Sequence, residues 1–324
     1  MATGSAGNKE ADSLACEPGM VPQWGDKVLV PLDGSGESAA VLPLARAVAR
    51  LVEATVHIVH AGETLVPPAE MARYLGLRPA DMDGAVIDRV AGSPAEVIVR
   101  LQQDNRLSPV VLSARGRGTP PEEAIGPVAA NVVQNSRGPV VLVWPEHPER
   151  PASGDRPWRR ILLPLDGTPS TSFAIAPAVD LAERSMAELI LLYIAVTGRQ
   201  RPPERGTLTP PKYIDQPQHE WPDWATELME RVWQVSGCQP TRIPVRISMA
   251  SGEPMAEIAG FAAQQQVDLI AFAWHGRFIR GGPIYVASGL REAGCPVLFL
   301  HAPARVQAAE RPSRPRRRER RQAA

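Results

Sequence analysis

The sequence predicts an α/β protein made of two tandem, doubly wound parallel sheets of five strands each, a Rossmann-like architecture. Three observations carry this. Residues 27–35 (KVLVPLDGS) return as residues 160–168 (RILLPLDGT), an offset of 133. Each half alternates short, continuous apolar runs with amphipathic stretches, as parallel strands covered on both faces should. Right-handed crossovers between such strands then leave an open sheet with helices on both sides.

Further landmarks locate the differences between the halves. Residues 91–96 (AGSPAE) and 251–257 (SGEPMAE) align through Gly92 and Gly252 at an offset of 160. SARG, ending at Gly116, and AWHG, ending at Gly276, keep that offset, whereas the closing strands align through Pro139 and Pro296 at 157. The second half therefore gains 27 residues between its second and third strands and loses three after Gly276.

Taken in order, the first strand is the apolar run 28–32. Residues 38–53 place Val41, Leu44, Ala45, Val48 and Leu51 at helical spacing behind Ser38 as the expected cap. Strands follow near 55–61, 85–91, 109–114 and 139–144, with helices near 67–76, 94–104 and 123–136. The second half gives strands near 161–165, 188–195, 242–249, 268–273 and 296–301. The Pro-rich insertion, 196–222, reads as a loop, and from Asp223 a helix sets Trp224, Leu228 and Val232 on one core-facing side. The expected organisation is a disordered segment 1–26, domain 27–145, linker 146–158, domain 159–303 and a basic disordered tail 304–324.

Composition narrows the function classes. Thirty-five Lys+Arg balance 35 Asp+Glu in a chain of 324 residues, so no whole-protein field favours nucleic acid or an anionic membrane. The zero conceals a cancellation, because residues 305–324 hold eight Arg and two Glu, +6, against −6 elsewhere. That tail is the one nucleic-acid candidate, and it lacks aromatic residues for base stacking. No signal-peptide core or apolar span is evident, which points to a cytoplasmic protein. Cys16, Cys238 and Cys295 contain no C-x-x-C pair, so neither a disulfide framework nor a zinc ribbon is expected.

In open α/β sheets, ligands bind at the carboxyl ends of the strands, near a topological switch point. Two features fall there. One is the acidic turn Pro31-Leu32-Asp33-Gly34-Ser35, mirrored by Pro164-Leu165-Asp166-Gly167-Thr168. The other is the loop from Ser113 through Arg115, Gly116, Arg117 and Gly118 to Gly126. Its glycines allow close backbone approach, the following helix start offers N–H groups, and the arginines add charge for a phosphate.

V-P-L-D-G-S after strand one, G-S-P-A-E opening helix three, and G-P-V-A before a closing P-V-V-L-V resemble the universal stress protein family, over roughly 27–145 and 160–303. The resemblance implies an adenine-nucleotide α-hydrolase-like fold in a tandem, non-enzymatic stress-response protein. It also implies domain pairing through the last strands, 139–144 with 296–301, with further homo-oligomers as an extension. Nucleotide-binding members carry G-x2-G-x9-G-[S/T] in the strand-four loop. Here Ser113, Gly116, Gly126 and Pro127 stand at those positions, while the second half has Ala273, Gly276 and Pro283-Ile284. The implied contacts are Pro31, Asp33, Gly34, Arg115, Gly116, Gly126 and Val128, and in the second half Asp166, His275 and Gly276. ATP, with Mg²⁺ only alongside it, is thus expected in the first domain rather than the second.

Two other readings compete. A ligand-free dimerisation or scaffold module needs no phosphate loop at all. A hydride-transfer enzyme would use residues 34–39 (GSGESA) as a dinucleotide fingerprint with Glu63 beyond it, but Asp33 opposes a pyrophosphate there and the second copy keeps only the first Gly. His57 and His60, three apart on one strand, point to opposite faces and cannot share a metal.

Overall fold

Strand β1 (Lys27–Pro31) opens the first half and is buried on both faces. After it come α1 (Gly36–Ala39), α2 (Leu42–Leu51), β2 (Thr55–Gly62), α3 (Pro68–Tyr74), α4 (Pro79–Met82) and β3 (Val86–Ala91). The half is completed by α5 (Pro94–Gln103), β4 (Leu107–Ser113), α6 (Pro127–Asn135) and β5 (Val140–Val143). The second half repeats the theme with β6 (Arg160–Leu165), α7 (Pro169–Ser172), α8 (Ile175–Ser185), β7 (Glu188–Ala195) and α9 (Trp221–Ser236). It ends with β8 (Val245–Ser251), α10 (Pro254–Gln264), β9 (Leu269–Trp274), α11 (Gly282–Leu290), a 3-10 turn at Arg291–Ala293 and β10 (Val297–His301). This computed structural model describes residues 24–63, 66–103, 107–147, 157–195, 207, 221–237, 240, 242–274 and 282–302. Expectations for 1–23, the basic tail and most of the insertion lie outside them.

The strands form one sheet in the order β3-β2-β1-β4-β5-β10-β9-β6-β7-β8. Within each half the pairing is parallel. The halves meet at β5 and β10, which run antiparallel with Val297 opposite Leu142, Leu298 opposite Val141 and Phe299 opposite Val140. In each half the order reverses between the first and fourth strands, so the crossover helices divide between the two faces. Side chains of alternating parity follow them. Val28, Val30, Ile161 and Leu163 enter one core with α2 and α8, and Leu29, Leu142, Leu162 and Phe299 enter the other with α5, α6, α10 and α11. At the seam, Phe299 makes edge-on contacts with Phe272 and Trp274 at centroid distances of 6.0 and 5.9 Å.

Several local expectations need correcting. Ser38 is not the helix cap: the first turn is a separate short helix whose cap is Ser35, with Ser35 Oγ accepting from the Ser38 amide at 3.1 Å. Ser38 Oγ instead donates to the Ser35 carbonyl. The expected helix 123–136 begins only at Pro127, which is favoured at a first helical position because it has no N–H to leave unpaired. Residues 24–26, assigned to a disordered segment, are placed, and Trp24 Nε1 donates to Asp180 Oδ2 of the second half at 2.7 Å. The linker is structured at both ends, with Trp158 only 3% exposed in the core and Glu146 in an ion pair. Helix α9 starts at Trp221 and buries Leu228 and Val232, while the side chain of Trp224 lies outside the described residues. Among the described residues, no helix is long and apolar enough to cross a membrane.

Candidate functional site

The carboxyl ends of β1, β2 and β4 open onto a cleft that faces solvent in part. It sits at the switch point of the first half. Pro31, Asp33, Val59, Ile98 and Leu112 form its floor and walls, and the β4–α6 loop with Gly116, Gly126 and Val128 forms its rim.

Asp33 organises one end. Its Oδ1 accepts from Ser35 N at 2.8 Å and Ser35 Oγ at 2.6 Å, and its Oδ2 accepts from the Arg117 amide at 2.6 Å. Burial pushes this carboxyl upward, but the bonds from Ser35, Arg117 and Ser38 outweigh it and hold the pKa below the usual Asp value. The turn amide that a dinucleotide fingerprint would offer to pyrophosphate is therefore engaged by Asp33. Gly34 follows at φ +81°, where the Tyr74 carbonyl would lie 2.7 Å from any β-carbon. Tyr74, from the end of α3, meets the Arg117 guanidinium at 5.2 Å from its ring centre and the His60 ring at 5.0 Å.

The other end is the start of α6. Gly126 is its N-cap and no side chain caps it. Pro127 donates nothing, so the first-turn N–H groups of Val128 and Ala129 are left without intrahelical partners. The positive end of the helix dipole and those amides favour an anion. A β-carbon at Gly126 would lie 2.6 Å from Thr119 Oγ1 and one at Gly116 would lie 2.3 Å from Asp33 Oδ2, so polar side chains pack directly against the backbone of the rim.

Arg115 lines the cleft, but its charge is already paired. It is only 5% exposed, and its guanidinium forms a bidentate pair with Glu146, Nη1 to Oε1 at 2.9 Å and Nη2 to Oε2 at 2.8 Å. Among the charged groups of the loop, Arg117 lies on the Asp33 side of the cleft. Sequence reasoning missed Tyr74, Trp144 and Glu146. Their contacts are tertiary, and no local motif announces them.

The second half differs in kind. Asp166 Oδ1 accepts from Thr168 N, Thr168 Oγ1 and Thr171 Oγ1 at 2.9, 2.7 and 2.8 Å, so the same turn recurs. His275 and Gly276 lie outside the described residues. At the offset of 157, Tyr285 replaces Val128, and the buried Val286 and Leu290 keep step with Ala129 and Val133. At 160, Glu253 replaces Ser93. The Tyr285 hydroxyl donates to Glu253 Oε1 at 2.6 Å and holds that carboxyl below the usual Glu value. The Glu253 carboxylate is thus tied to the first turn of α11.

His57 and His60 are both buried and engage different partners: His57 Nε2 lies 2.8 Å from Asp88 Oδ2, and His60 Nδ1 donates to the Leu32 carbonyl at 2.9 Å. Among the described residues, no three His, Cys, Asp or Glu side chains gather to hold a metal.

The model of the universal stress protein family matches twice, over residues 25–143 and 157–301. The chain belongs to that family. A universal stress protein of Mycobacterium tuberculosis is 27% identical over 188 residues, 51% of this chain and 63% of the relative. Another from that organism is 31% identical over 84 residues, 26% of this chain and 25% of the relative. The chain thus spans between a quarter and just under two thirds of these curated relatives' length. Among solved structures, a universal stress protein of Archaeoglobus fulgidus superposes with a TM-score of 0.58 at 16% identity, covering 87% of this chain and 98% of that one. A functionally unknown protein of Pseudomonas aeruginosa gives 0.57 at 15% identity, covering 88% and 95%. These two likenesses show the fold.

Proposed function

We propose that the first domain binds an adenine nucleotide, ATP in first place, and that the protein is a non-enzymatic regulatory member of the stress response in the cytoplasm. One observation carries the reading: a single cleft has the Asp33 carboxylate at one end and the uncapped start of α6 at the other. ATP would bring both an exocyclic amine and a triphosphate to match them. Asp33 Oδ2, with one bond already taken by the Arg117 amide, keeps a lone pair for an amine donor. Val128 and Ala129 donate amides to phosphate oxygens, and Gly116 and Gly126 let the backbone come close. Val59, Ile98 and Leu112 supply the apolar wall against which a base desolvates. Mg²⁺ enters with the phosphates, held by them rather than by a waiting carboxylate cage.

The second domain serves as a structural partner, paired with the first through β5 and β10. The Glu253–Tyr285 contact supports this division, because an anionic side chain there repels phosphate. Isothermal titration of the full chain with ATP and Mg²⁺, together with mass spectrometry of ligand released from purified protein, tests both halves of the proposal. One site per chain is expected. Absence of both binding heat and released nucleotide from folded protein would favour the ligand-free scaffold reading, and two sites per chain would overturn the division of labour.

A further inference from the structure

The loop that rims the first-domain cleft is held from both sides, and one of the hands belongs to the other domain. On the inner side, Asp33 Oδ2 accepts from the Arg117 amide and the Ala114 carbonyl accepts from the Gly126 amide at 2.7 Å. On the outer side, three carbonyls of the loop are taken by side chains. Trp144 Nε1 donates to the Ala124 carbonyl at 2.7 Å, and Arg115 Nη1 donates to the Pro121 carbonyl at 3.2 Å. Arg291, from the 3-10 turn that precedes β10, donates through Nη2 to the same Pro121 carbonyl at 3.0 Å and through Nη1 to Glu122 at 3.5 Å. Its Nε donates to Glu146 Oε1 at 2.7 Å, the oxygen that also accepts from Arg115. Glu146 is thus shared by two guanidinium groups, one from each domain, and Glu37 Oε1 lies 3.5 Å from Arg115 Nη2 as a second counter-charge.

The geometry points to Arg291 as a positioning residue for the first-domain nucleotide loop, so that the second domain sets the affinity of a site to which it contributes no direct ligand. This rests on the nucleotide reading above. The physical case is one of preorganisation. A loop of about a dozen residues pays conformational entropy to present Gly116 and Gly126 in register with α6, and fixing its outer limb before binding removes part of that cost. Arg291 suits the task because its planar fork reaches two carbonyls and a carboxylate at once, which an ammonium group at the end of a Lys stem cannot reproduce. Linkage makes the effect reciprocal: a nucleotide that needs the ordered loop must also strengthen the seam between the domains.

Two measurements on the full chain, wild type against Arg291→Ala and Arg291→Lys, decide the matter. Amide hydrogen exchange at residues 119–126 without nucleotide reads the brace itself. Both variants are expected to exchange faster there while residues in β1 and β2 stay unchanged. ATP titration reads the consequence, with affinity in Arg291→Ala lowered about tenfold, within the usual range of coupling between sites, and Arg291→Lys recovering little of it. Unchanged loop exchange in Arg291→Ala would overturn the inference whatever the nucleotide result. Equal ATP affinity in wild type and variant would overturn it too. Should wild type itself bind no ATP, the nucleotide reading fails while the exchange result still judges the brace. Circular dichroism and the melting temperature distinguish either result from general unfolding.

Discussion

Gly116 and Asp33 sit so close that a β-carbon on Gly116 would lie 2.3 Å from Asp33 Oδ2. The glycine of the fourth-strand loop is therefore required by the acidic turn of the first strand, 83 positions away in the numbering of the chain. Gly116→Ala must displace a carboxylate tied down by three hydrogen-bond donors. Overpacking of this kind costs about 1–3 kcal/mol. The variant should unfold at lower urea and lose most of its ATP affinity, and a variant with wild-type affinity would show that the Asp33 geometry is irrelevant to the site.

The two aspartates of the repeat should respond unequally. Asp33→Asn turns an acceptor into an amide and disturbs the bond from Arg117, which ties the two loops together. A cost of about 1–3 kcal/mol is expected, with weakened nucleotide binding. Asp166 is exposed and, among the described residues, accepts within its own turn through one oxygen that an Asn carbonyl replaces. Asp166→Asn should stay within about 0.5 kcal/mol of wild type, with unchanged titration heat. Chemical denaturation and calorimetry on both variants check the contrast.

Acid should loosen the molecule in a defined order. His301 Nε2 donates to the Val133 carbonyl across the seam at 2.8 Å, and burial holds this imidazole below its ordinary value of 6.5. As pH falls below that value, the unfolded chain takes up a proton that the folded chain resists, so stability declines from there. Glu146 acts lower on the scale. Burial raises its pKa, but its own amide, Arg115 and Arg291 outweigh burial and depress it. Its contribution is complete above the ordinary Glu value of 4.5 and is lost as pH passes through the lower folded one. Urea midpoints measured from about pH 7.5 to 5.5 should fall in wild type and fall less in His301→Gln, whose amide can still reach Val133. Parallel slopes would remove His301 from this account.

A control for all three lies in the second domain. Gly289 in α11 faces α10 so closely that a β-carbon would lie 2.5 Å from Met255 Cβ. Gly289→Ala should destabilise by about 1–3 kcal/mol through overpacking alone. Its ATP affinity should match wild type at temperatures where it remains folded. A large loss of affinity would mean that any disturbance of the second domain reaches the site, not only one at Arg291.

Much of the scaffold was legible because its determinants are local. Apolar runs such as 161–165 and the recurrence of PLDG expose strands, repeat and switch point together. The turn at Asp33 was legible for the same reason, since its partners Ser35 and Ser38 are two and five residues on. The role of Arg115 was not. Its side chain is claimed by Glu146, which sequence inspection gives to a linker, and that choice depends on where β5 ends in space. Tyr285 and Glu253 escaped notice because each becomes meaningful only when helices α10 and α11 are laid side by side. The helix expected from 123 begins at 127 because the carbonyls of Pro121, Glu122 and Ala124 are spent on side chains from elsewhere.

The antiparallel join of β5 to β10 has one more consequence. In an assembly of two identical chains, any substitution that spoils a cleft spoils both, since symmetry copies it. Here the corresponding partners are encoded separately on one polypeptide. One half was therefore free to join Glu253 to Tyr285 between α10 and α11, where the other has Ser93 and Val128. The covalent link lets the two halves diverge, and an arginine at the junction can then bond to a neighbour's loop whose own sequence does not supply it.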